Sequence, residues 1–113
     1  MTVTDSYGQD LAAVAAALKE EKRVLVTTHI KPEGDALGSM IAVHRALQQL
    51  DIDSVMYMAE TGPVASEYRF LKAMGEVSFG ELPADAASRT VCAVDCGNAD
   101  RVGNAELMAA AGR

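Results

Sequence analysis

The segment Val24-Leu-Val-Thr-Thr-His-Ile-Lys-Pro-Glu-Gly-Asp-Ala-Leu-Gly-Ser39 constrains the fold more than any other part of this chain. Its apolar opening reads as a buried strand over Val24–Thr28, which Pro32 and Gly34 then break. Leu37, Met40, Ile41, His44 and Leu47 follow at helical spacing and predict a helix running to about Leu50. Asp35 is expected to cap that helix, and Gly38 to let it approach a sheet closely. A strand passing into a helix through a short polar loop places His29, Glu33 and Asp35 at the strand's C-terminal end, where α/β proteins bind ligands.

The flanking sequence extends the same pattern. Ser6 with Gln9 suggests a capping box opening a first helix, whose Leu11, Val14, Ala15 and Leu18 should pack on the sheet. Glu20 to Arg23 is a solvated charge cluster leading into the first strand. Asp51 to Asp53 turns the chain into a second strand over Ile52–Met58, which the turn residues Glu60-Thr-Gly-Pro63 end. A short helix is expected around Ser66–Met74, closed by Gly75. Val77–Phe79 reads equally as a short strand or an extended connection, and the piece from Leu82-Pro83 as helical or irregular. Thr90-Val-Cys-Ala-Val-Asp95 is a further strand, near-continuously apolar as a parallel strand buried on both faces should be, and it ends on a carboxylate.

Alternating strands and helices imply an α/β fold with a Rossmann-like, doubly wound parallel sheet. If the second strand lies on one side of the first and the Asp95 strand on the other, a crevice opens at the point where the strand order reverses. His29, Glu33, Asp35 and Asp95 would share it.

Composition narrows the chemistry. A chain of 113 residues, half of them apolar, can build one core. Its net charge of −6, with ten scattered Lys and Arg, argues against a basic nucleic-acid-binding face, so a phosphate-bearing substrate would need metal ions to offset the acidity. The longest apolar run, Leu11 to Leu18, is far short of a membrane span, and a cytoplasmic location is expected. Cys92 and Cys96 would lie roughly 13 Å apart on an extended strand, too far for a disulfide or shared zinc. Both read as reduced core thiols.

Three carboxylates and one imidazole form a mainly oxygen donor set that suits Mn²⁺ or Mg²⁺ better than structural zinc. Asp95, central in the crevice, could bridge two ions, which could clamp a phosphoryl oxygen and stabilise in-line displacement. Metal-assisted phosphoester hydrolysis is the reaction class such a set serves. Taken singly, His29 would read as a hydrogen-bonded strand-end histidine, and Glu33 or Asp35 as helix capping. The metal reading rests on the four together. His44, on the apolar stripe of its helix, reads as structural, Arg101 as a loop tie or a phosphate contact, and Ser39 as a packed or hydrogen-bonded residue rather than a nucleophile.

In two motifs the chain resembles the DHH phosphoesterases, a family that includes RecJ-like exonucleases, oligoribonucleases that also dephosphorylate 3′-phosphoadenosine 5′-phosphate, and cyclic-dinucleotide phosphodiesterases. The family's His-x-x-Pro-Asp-Gly-Asp-Ala-x-Gly-Ser stands here as His29-Ile-Lys-Pro32-Glu33-Gly34-Asp35-Ala36-Leu37-Gly38-Ser39. Its strand-terminal Asp-x-Gly followed by Arg-x-Gly stands as Asp95-Cys-Gly97-Asn-Ala-Asp-Arg101-Val-Gly103. The resemblance implies that His29, Glu33 and Asp95 hold one manganese ion, and that Asp35 and Asp95, the candidate catalytic residues, contribute to a second. Glu33 stands where the family usually has Asp; its extra methylene still permits ligation but shifts the metal or the loop.

The resemblance further implies that residues 1–113 are the N-terminal part of a DHH domain. The Asp-His-His motif and the C-terminal substrate domain would lie beyond it, and the isolated chain should hydrolyse phosphodiesters poorly. The implied partners are a short oligonucleotide or nucleotide substrate, with a homodimer left open and no membrane. The alternative is a non-catalytic metal- or nucleotide-binding Rossmann-like module. A dinucleotide-binding domain fits less well, since Pro-Glu-Gly-Asp replaces the glycine-rich turn that would receive a pyrophosphate.

Overall fold

The computed structural model describes residues 3–29, 34–59 and 75–95, with side chains described for 9–29, 35–59 and 75–95. The element order is α1 (Val3–Glu20), β1 (Arg23–Thr28), α2 (Gly34–Gln49), β2 (Asp53–Met58), β3 (Val77–Phe79), a 3₁₀ turn at Ala86–Ser88, and β4 (Thr90–Val94). The strands form one sheet in the order β3-β2-β1-β4, and every pairing is parallel. From β1 the chain steps outward to β2 and β3, then returns across the sheet to place β4 on the other side of β1. This is an α/β, Rossmann-like arrangement with its reversal point between β1 and β4.

Alternation along β1 explains why its sequence is apolar throughout. Val24 and Val26 face α2, where they form a core with Leu37, Met40, Leu47, Ile52, Met56 and Met58. Leu25 faces the other way and packs with Tyr57, against Val55, Leu82 and Val91. A strand with both faces covered must be hydrophobic at consecutive positions. Each fully buried large side chain contributes about 1.5–3 kcal/mol by removal from water. The Tyr57 hydroxyl donates to the carbonyl of Gly80 at 2.6 Å. Gly80 has φ 79°, a left-handed conformation that suits glycine. Its N–H donates to the Met58 carbonyl.

Several expectations change. Helix α1 begins at Val3, so Ser6 lies inside it rather than at its cap. Of its apolar stripe, Leu18 reaches the core, while Leu11 and Val14 are more than half exposed. Gly38 is on the outward side of α2, and a Cβ built on it meets nothing within 4 Å among the described residues. Close approach to the sheet is made instead by its neighbours Ala36 and Leu37, both fully buried. Ser39 is likewise exposed. The ambiguous Val77–Phe79 is a strand, held in register by Met56 opposite Val77. β4 is half-buried and not sealed on both faces, because it is an edge strand of the described sheet.

The expected helix around Ser66–Met74 falls outside the described residues. Among the described residues, no helix is long and apolar enough to cross a membrane.

The end of α2 is a Schellman motif without glycine. The Ile52 N–H donates to the Leu47 carbonyl and the Asp51 N–H to the Gln48 carbonyl. Asp51 takes the left-handed position at φ 59°. Ile52 and Leu47 both enter the core, which supplies the apolar contact that accompanies this cap.

Candidate metal centre

Adjacent parallel strands deliver whatever follows them to the same place. Thr28 and Val94 are register partners at the ends of β1 and β4, so the residues that follow them, His29 and Asp95, emerge side by side. His29 Nε2 lies 3.5 Å from Asp95 Oδ2, with the imidazole side chain 12% exposed and the carboxylate side chain 46% exposed. The ring is packed and the carboxylate opens to solvent. Donor atoms on neighbouring positions of an octahedral ion lie about 3 Å apart, so a small side-chain rotation would let this pair share one cation. An imidazole nitrogen facing a carboxylate oxygen is also a donor pair suited to manganese.

Asp95 has φ 51°. A side chain at positive φ is uncommon, though aspartate tolerates it better than most, and such residues concentrate where a site demands them. Beneath the pair, Thr28 is 1% exposed. Its hydroxyl donates to the Val94 carbonyl at 2.8 Å.

Asp35 lies in the first turn of α2 and is exposed. Its Oδ1 accepts from the Ala36 N–H at 2.9 Å. Since the helix starts at Gly34, Asp35 is one residue inside the helix and not its cap. Glu33, Arg101, Gly97 and Gly103 lie outside the described residues. Among the described residues, no group of three or more His, Cys, Asp or Glu side chains is placed to hold a metal ion. Of the four candidate ligands, the described residues bring together His29 and Asp95.

Other candidates take structural places. His44 is buried, with Nδ1 2.7 Å from Ser54 Oγ and Nε2 3.7 Å from Glu76 Oε1. Burial lowers its pKa, the Arg45 charge adds to that, and Glu76 opposes it. The Arg45 guanidinium, hydrogen-bonded to Glu76, holds that carboxyl below its ordinary range. Cys92 is a free thiol, and burial raises its pKa, away from the thiolate a reactive cysteine needs.

Two residues escaped the sequence reading. Thr28 looks like the polar end of an apolar run, and its only signal is a hydroxyl where valine would serve a doubly covered strand. Arg89 reads as a solvated charge before β4 but is 4% exposed. It donates to the carbonyls of Val24 and Asp53 and to the carboxylates of Asp53 and Asp85, and it holds the Asp85 carboxyl below its ordinary range. Compared with known protein families, curated proteins and solved structures, the chain matches none.

Proposed function

We propose that this chain carries metal ligands of a manganese-dependent phosphoesterase acting on short oligonucleotides or nucleoside phosphates such as 3′-phosphoadenosine 5′-phosphate. The observation that carries this reading is the 3.5 Å approach of His29 to Asp95 at the strand-order reversal. These are the leading residues of the two DHH-like motifs, more than sixty positions apart in sequence. His29, Glu33, Asp35 and Asp95 would hold the ions, with Asp95 shared between them.

Bound divalent cations would neutralise phosphoryl charge that a chain of net charge −6 otherwise repels. The protein's own residues bind and orient. His29 offers Nε2 from a packed ring, and Asp95 sets a carboxylate opposite it. Asp35 lies at the N-terminal turn of α2, where the helix dipole also favours an anionic group of the substrate.

Calorimetric titration with Mn²⁺ tests the assignment. Asp95→Ala should abolish binding, whereas His44→Ala, beside Ser54 near the strand starts and so at the opposite end of the sheet from the site, should retain it; equal effects would overturn the site. Hydrolysis of a model phosphodiester by the isolated chain should be slow or undetectable. Tight Mn²⁺ binding with no turnover in any longer form of the protein would favour the non-catalytic module instead.

A further inference from the structure

The hydroxyl of Thr28 is buried at a position where a doubly covered parallel strand ordinarily carries valine or isoleucine. A buried hydroxyl is unfavourable unless it is hydrogen-bonded, and this one donates at 2.8 Å to the Val94 carbonyl. That carbonyl belongs to the peptide plane joining Val94 to Asp95, from which the φ of 51° at Asp95 is measured. Thr28 in turn begins the peptide that leads to His29. One hydrogen bond thus ties together the two peptide units that carry the imidazole and the carboxylate.

Resting on the metal-site reading above, we infer that Thr28 is a positioning residue of the centre: its hydroxyl holds the peptide plane of Asp95 and thereby sets the carboxylate opposite His29. Side chains that orient ligands from one shell out are worth about ten- to a hundredfold in metal affinity.

Two substitutions separate this role from packing. Thr28→Val keeps the shape and removes the donor; Thr28→Ser keeps the donor and removes a buried methyl group. With Mn²⁺ binding followed by the electron paramagnetic resonance of the free ion, Thr28→Val should weaken affinity about tenfold or more, and Thr28→Ser should restore it despite a lower melting temperature. A purely structural role predicts the reverse order, with Thr28→Ser the weaker binder because it is the less stable protein. That result would overturn the inference.

A metal-free readout keeps the inference separate from the metal assignment itself. In the absence of Mn²⁺, Thr28→Val should shift the Val94 carbonyl and Asp95 amide resonances, and Thr28→Ser should leave them near their original positions. Unmoved resonances in Thr28→Val overturn the positioning role whatever the metal result. Moved resonances in a protein that binds no Mn²⁺ would retain the tie between the strands and sink the metal reading alone.

Discussion

Two aspartates hold left-handed backbone conformations, Asp51 at φ 59° and Asp95 at φ 51°, and the reasons differ. Asp51 closes the α2 cap, a task glycine performs without crowding from a Cβ. Asp95 sets a carboxylate against His29 at the mouth of the sheet, so glycine there would relieve the backbone and delete that contact. Gly38 is the converse case, a glycine whose position requires no special backbone and whose missing side chain would meet none of the described residues. Gly38→Ala should therefore raise stability by about 0.5–1 kcal/mol through helix propensity alone. Urea denaturation checks this, and a decrease would mean that the outward face of α2 is packed after all. The helix containing Gly38 was readable in the sequence; the face Gly38 presents was not, because it sits one position off the apolar stripe that periodicity detects.

At the level of elements, β1 was readable because burial on two faces forces consecutive apolar residues, as at Val24–Val26, whereas the three residues of β3 are too few to show a pattern. What fastens one strand to the next was not readable either, since it depends on contacts between distant positions. Arg89 is the clearest instance. Its guanidinium, just before β4, binds the starts of β1 and β2 through the Val24 and Asp53 carbonyls, and the Asp53 carboxylate besides. A planar fork of donors meets this spread of acceptors where a single ammonium cannot. Arg89→Met should cost about 3 kcal/mol of unfolding free energy, and Arg89→Lys should recover less than half of that. Full recovery by lysine in chemical denaturation would show that charge, not geometry, secures the strand starts.

For the whole molecule, acid stability follows from how α2, β2 and β3 meet. His44 of α2 lies against Ser54 of β2 and Glu76, which precedes β3. Burial places its folded pKa below the ordinary 6.5. The unfolded chain then takes up a proton near pH 6.5 before the folded one does, so stability is at its full value above that pH and falls as the pH drops toward the lower folded value. Urea midpoints measured between pH 7 and about 5 should decline, and His44→Asn should flatten the decline. An unchanged slope in the variant would assign it to other groups. The strand order was anticipated only conditionally from sequence, because periodicity identifies strands but not their neighbours; the reversal between β1 and β4 that joins the two motifs is a property of the assembled sheet.

That reversal also has a consequence for timing. The hydroxyl of Thr28 and the carbonyl of Val94 are separated by 66 positions, and β4 can dock on β1 only after the chain has travelled out to β3 and back. Closing so long a loop before any contact rewards it is among the slower events available to a small α/β chain. An emerging polypeptide that has paired β1 with β2 already displays His29 with no carboxylate from β4 beside it. If the pair chelates a cation as proposed, it cannot do so until the last described strand has arrived, so binding would wait on the docking of β4.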